Sequence, residues 1–189
     1  MIFEGKPVWN LAPRLQPKIT MSLEASEIGK NKIAKFSPSP CVRVFSLSYY
    51  LRDLAAVREA ERFFIARGGR LESFYLPSFK RDFIPSNKFA NQSAFSCLRA
   101  NASFGIWGQG CNIYIPKEGF AARVLDIKVD SQNNQEIIAL KQVFNFEINP
   151  QSFISELICV RFNSDEISIS KSGAVGFSMQ LDLKEVFYE

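Results

Sequence analysis

The sequence predicts a mainly β protein, a β-barrel or sandwich with one α-helix packed outside it. Short apolar–polar alternations recur along most of the chain. Residues 53–67 are the one segment with clear helical periodicity, and a double glycine separates that helix from the strand that follows. With 189 residues, 47% of them hydrophobic, the chain can bury a sizeable core as one domain spanning 1–189.

The helix follows from its residues. Asp53 is a good N-cap, because its carboxylate can accept from the free amides of the first turn. Leu54, Val57, Glu61 and Phe64 keep helical spacing, and Ala60, Phe63 and Ile65 widen the apolar stripe. Gly68 and Gly69 can take positive φ without steric cost, so the helix stops there. Leu71, Ser73 and Tyr75 then alternate with Glu72, Phe74 and Leu76, and Pro77 ends strand pairing. A helix this short is marginal alone in water and must lie on a sheet.

The strands of that sheet read as follows. Val42 and Val44, then Phe45, Leu47, Tyr49 and Leu51, give a strand whose change of phase predicts a bulge. Leu125, Ile127 and Val129 alternate with Asp126 and Lys128. Beyond the polar turn Asp130 to Gln135, the run Ile137 to Leu140 returns as a hairpin. Ile158, Val160 and Phe162 form another strand, and Ile167 with Ile169 a short one. In the cleanest, Phe177, Met179, Leu181 and Leu183 face away from Ser178, Gln180, Asp182 and Lys184. This makes roughly seven to nine strands and one helix.

Composition narrows the function. No apolar run approaches the length of a membrane helix, and the first residues lack the charged-then-apolar order of a signal peptide. The net charge of +4 is mild. Lys30, Lys32 and Lys35 cluster in a loop-like stretch and Lys80-Arg81 is a second small pair, short of the density of a nucleic-acid footprint. The chain has no histidine, which excludes Ser–His–Asp and Cys–His catalysis and imidazole metal sites. Asp126, Asp130, Glu136, Glu147 and Glu156 read as strand-face or loop acids with no pair singled out for hydrolysis. The glycine-rich 105–110 segment lacks the Lys and Ser/Thr of a phosphate loop and reads as a turn carrying Trp107. No enzyme and no cofactor are expected.

Cys41, Cys97, Cys111 and Cys159 are widely spaced, with no CxxC pair. They read as small apolar residues in a reducing compartment, the sharper alternative being a four-thiolate metal or iron–sulfur site. Among the eighteen Phe, five Tyr and two Trp, most phenylalanines fall on an apolar phase and fill the core. Trp9, Phe36, Phe79, Phe83, Phe89 and Phe104 lie in segments without a clear period and suit subunit contacts. Pro7, Pro13 and Pro17 make residues 1–20 an extended N-terminal arm, and 84–120 reads as an inserted loop region.

The succession Phe63-Phe64, Arg67-Gly68-Gly69-Arg70-Leu71, then Phe74, Leu76-Pro77 and Asp82 resembles a segment of small tail proteins of tailed bacteriophages. There a helix ending in FF-x-x-R-x-G-R is followed by x-x-F-x-L-P and an acidic residue. Pro7 and Trp9 at the opening, Tyr49-Tyr50-Leu51, and the closing Leu183-Lys184-Glu185-Val186 also fit that layout, although only 45–82 carries specific motif content. The resemblance implies a distal or minor tail protein, similar to those of long-tailed phages and gene transfer agents. It implies a tail-tube-like split β-barrel with one flanking helix, and a homo-oligomeric ring, usually six-fold, between the tail tube and the baseplate, hub or fibres. The expected location is the tail tip of the virion, after synthesis in the host cytoplasm. Arg67, Gly68, Gly69, Phe74 and Pro77 are then helix-stop and packing residues, and no catalytic residue is carried over. Two alternatives stay open: a carbohydrate-binding β-sandwich using Trp9, Trp107 and nearby tyrosines, and an iron–sulfur-containing tail hub.

Overall fold

The computed structural model describes residues 2–3, 16–18, 21–28, 31–38, 42–98, 111–172 and 176–186; for 16–38 and for 42 it describes backbone path and register. Strand is the dominant element and one α-helix is present among these residues, so the mainly β class with one helix holds. The chain divides into two compact units, each discontinuous in sequence: Met1–Glu4 with Tyr75–Ile158, and Gly5–Phe74 with Cys159–Glu189. The boundaries fall inside strands β5 (Phe74–Pro77) and β10 (Ser155–Phe162), where no change of composition marks them.

In the first unit, β10 pairs through Ser155–Leu157 with β7 (Asn112–Ile115), and the ladder continues through β8 (Phe120–Asp130) and β9 (Gln135–Ile148) to β6 (Phe89–Leu98). All these pairings are antiparallel. A 3₁₀ turn at Pro116–Glu118, closed by Gly119 at φ 59, reverses the chain between β7 and β8. The four-residue β8–β9 turn is held by Asp130, whose Oδ1 accepts from the amides of Gln132 and Asn133. Period-two alternation then sends Phe95, Ile113, Val124, Ile138, Phe144 and Ile148 into one apolar core that also takes Phe83 and Ile154.

In the second unit, β4 (Val42–Leu51) and β12 (Phe177–Glu185) share an unbroken eight-pair register from Leu51 opposite Phe177 to Val44 opposite Lys184. β1 (Gln16–Lys18) covers the far edge of β4. The other edge of β12 takes β11 (Ser168–Lys171) at one end and the Val160–Phe162 half of β10 at the other. β2 (Met21–Ile28) and β3 (Asn31–Pro38) form a separate hairpin with Glu24 opposite Lys35 and Glu27 opposite Lys32. Among the described residues no ladder returns to its first strand in either unit, so the sheet is open and not closed into a barrel.

Several expectations are corrected. The bulge read in β4 is absent: Arg43, Phe45, Leu47 and Tyr49 all point inward, and a buried arginine had mimicked a phase change. Register slips lie instead in β8, between Val124 and Asp126, where Leu125 is left exposed, and in β6, between Ala90 and Ala94. Residues 89–98 and 112–115 of the expected 84–120 loop are strands; 99–110 lie outside the described residues. Lys32 and Lys35 belong to β3, not to a loop. Phe79 and Phe83 are buried, and Phe89 packs on the core, so these three are not spare surface aromatics. Trp9, Phe104 and Trp107 fall outside the described residues, as does most of the 1–20 arm.

Candidate functional site

The segment singled out by sequence is a helix stop welded to an aromatic stack. Asp53 is extended (φ −149°, ψ 176°) and its Oδ1 accepts from Ala56 N–H at 2.9 Å, starting helix α1 (Leu54–Ala66). Val57 is the buried residue of the helix. The expected stripe is narrower than its periodicity, since Leu54 and Ile65 are 59% and 74% exposed.

Its C-terminus closes with two nested bonds. Gly68 N–H donates to Ile65 O (2.9 Å) and Gly69 N–H donates to Phe64 O (3.3 Å), the pairing that a left-handed residue after the last helical turn permits. Gly68 (φ 58) and Gly69 (φ 60) are both left-handed, where a side chain costs about 1–2 kcal/mol. Gly69 has a second reason to be glycine: a Cβ there would stand 2.8 Å from Asp165 Oδ1. That carboxylate is engaged by Arg70, through its backbone N–H (3.1 Å), its Nε (2.8 Å) and an ion pair of 2.5 Å. The Arg70 hydrogen bonds hold the Asp165 carboxyl below the usual carboxylate range, and the same pairing raises the Arg70 guanidinium. Both groups are exposed, so the pair orders the turn more than it stabilises the fold.

Phe63 and Phe64 anchor the helix to the sheet. Phe63 meets Phe74 edge-on at 5.1 Å, Phe64 meets Phe162 at 4.8 Å, and Phe74 lies 5.0 Å from Phe162. These separations are within the range for favourable ring pairs, worth about 0.5–1.5 kcal/mol each beyond their burial. Arg67 is stretched over the Phe63 ring (5.9 Å) and ion-paired to Glu72 (2.9 Å). All these contacts lie within the second unit.

The remaining motif residues belong to the first unit. Leu76 and Pro77 are buried in β5. Past Pro77, Ser78 N–H donates to Glu156 O (2.9 Å) and Asp82 N–H to Ile154 O (2.9 Å). Asp82 Oδ2 accepts from Glu156 N–H (2.8 Å) and from Ser78 Oγ. This net encloses Phe79, whose backbone is also left-handed (φ 56). Asp82 is therefore a loop-closing acceptor.

Cys97 and Cys111 belong to the first unit and Cys159 to the second, while Cys41 lies outside the described residues. Cys97 sits opposite Glu136 in the β6–β9 register, and burial, followed by the Glu136 charge, pushes its thiol up to about 12. A thiol in that state is a poor nucleophile and a poor ligand. Among the described residues no group of three or more Cys, Asp or Glu is placed to hold a metal ion.

Sequence reasoning missed the Arg43–Glu185 pair. Arg43 Nε donates to Glu185 Oε2 (2.7 Å), one terminal nitrogen donates to Oε1 (2.6 Å), and the Arg43 backbone N–H also reaches Oε2 (3.2 Å). Both side chains are buried. The signal available was the odd polar residue at each end of two otherwise apolar rows. No protein-family model matches the chain, and no curated protein matches it in sequence.

Proposed function

We propose that this chain is a virion structural subunit of a bacteriophage tail tip, a distal or minor tail protein without catalytic activity. In this reading it forms a homo-oligomeric ring joining the tail tube to the baseplate, hub or fibres. The observation that carries the reading is the use of the 53–82 motif. Asp53, Gly68 and Gly69 close a helix, Phe63, Phe64 and Phe74 form a ring stack, and Asp82 ties a loop. Every one of these roles is architectural, as the resemblance to small phage tail proteins requires. The mainly β composition and the lack of histidine agree with a mechanical part. A stable ring contact should bury about 1,000 Å² or more.

Light scattering coupled to size-exclusion chromatography, across a concentration series of the untagged chain, tests this. A ring-sized species, or one that grows with concentration and images as a ring by electron microscopy, supports it. A chain that stays monomeric at high concentration, alone and when mixed with the tube and hub proteins of a tail operon, overturns it.

A further inference from the structure

Helix α1 turns a patterned seam away from the sheet it lies on. Leu54, Arg58, Glu61 and Ile65 are all exposed and follow one another at intervals of four, three and four residues. At about 3.6 residues per turn, these four fall within about 60° of one another. The centre of the seam lies about 130° round the helix from the row Ala56, Val57, Ala60, Phe63 and Phe64, which is buried or half-buried. Among the described residues, neither Arg58 nor Glu61 is in an ion pair. Two exposed aliphatic residues on a helix are ordinary by themselves. Their order around the two charges is what points to a partner.

We propose that this seam is a homotypic docking surface that takes α1 of a second copy of the chain in antiparallel orientation. Apolar, basic, acidic, apolar is an order that complements itself when reversed. In an antiparallel pair centred between Glu59 and Ala60, Leu54 stands level with Ile65 of the partner subunit. Arg58 then stands level with Glu61 of the partner subunit, and the two-fold axis repeats both contacts. The four-three spacing is that of helices crossing at about 20°, with side chains of one set into gaps of the other. A parallel pair would instead set Arg58 level with Arg58 and Glu61 level with Glu61, so the charges select the orientation. A second copy supplies the matching order by symmetry. An anionic lipid surface would be repelled by Glu61 and the neighbouring Glu59. The helix has 13 residues. It is therefore about 20 Å long and about 10 Å wide, and the strip it covers falls below the ~1,000 Å² of a stable interface. The dimer is accordingly a weak one that forms at high concentration. The contact closes at two copies, so it is separate from a head-to-tail ring contact and stands whether or not a ring forms. Between assembled rings it would link one ring to another.

Sedimentation velocity of the untagged full chain over a concentration series tests this. The wild type should associate in a step that doubles its mass, from monomer to dimer or from one ring to two. Arg58→Glu and Glu61→Arg each set like charges level with one another. Either alone should weaken the doubling step at least about tenfold, which corresponds to about 1.4 kcal/mol, with an unchanged melting temperature. Mixed in equal amounts, the two variants meet with both contacts complementary, and doubling should return. The double variant, which exchanges the charges within one chain, should associate as the wild type does. Glu59→Lys changes an exposed charge of the same helix about 130° from the seam and should leave the step intact. A wild type with no doubling step at any concentration, single variants that pair as strongly as the wild type, or a mixture that fails to recover each overturns the proposal.

Discussion

The two units differ in how charge enters their inner faces. In the first, the inward row is mostly apolar, with Phe95, Val124, Ile138, Phe144 and Ile148 in one contiguous core, and a fully buried acid, Glu136, shares the inward phase of β9 with Ile138. In the second, the inward row of β4 begins with Arg43 and that of β12 ends with Glu185, and these two charges neutralise each other out of water. Apolar burial tolerates many arrangements of similar volume, whereas a buried bidentate pair is satisfied in one register only. The β4–β12 ladder is the longest unbroken register of the second unit's main sheet, and the ion pair stands at one end of it. Hydrophobic patterning therefore misreads a row that holds a buried charge, as it does at Arg43.

That contrast can be broken by mutation, starting with the largest effect. Phe144→Ala should lower stability by about 3–5 kcal/mol through a cavity in the first unit, measured by denaturant unfolding. Arg43→Met should cost about 3 kcal/mol because Glu185 is left buried and unpaired, and adding Glu185→Leu should recover most of the loss. If the double variant is no better than the single one, the pair is not what the second unit depends on. Gly69→Ala should cost more than Gly68→Ala, although both meet the same left-handed strain of about 1–2 kcal/mol. Gly69 faces the Asp165 carboxylate, while Gly68 faces only the end of Leu71. Equal losses would mean that Asp165 moves aside freely. Asp53→Ala should remove about 1 kcal/mol, seen as a small fall in unfolding midpoint.

The smallest effect is electrostatic. Asp165 has a folded pKa below its unfolded one, because Arg70 hydrogen-bonds its charged form. Its contribution is therefore full above the unfolded value and is lost as pH falls through the folded value. Between pH 6 and pH 3 the wild type should lose more stability than Asp165→Asn; parallel curves would remove the pair from any stabilising role. High salt should shrink the difference, as both partners are exposed.

Much of the fold was legible in the residues. Helix α1, its cap at Asp53 and its stop at Gly68-Gly69 follow from backbone chemistry that acts within a few residues, so composition alone locates them. The β8–β9 hairpin and the β12 alternation were legible for the same reason, since period two is a local property. The strands β6 and β7 were not, because bulges at 90–94 interrupt the β6 alternation and β7 is too short to show one. Nor did the sequence mark Phe79 and Phe83 as buried, since their burial depends on the net through Asp82, Ser78 and Glu156.

Local chemistry thus determined where the chain turns, caps and alternates, because those choices are made within one or two turns of backbone. Only tertiary structure decided which positions hold buried charge and which glycine faces a carboxylate. Arg43 meets Glu185 across 142 residues, Arg70 meets Asp165 across 95, and Ser48 meets Gln180 by strand register. Such partners are chosen by the folded sheet, and no single stretch of sequence contains both halves of the interaction.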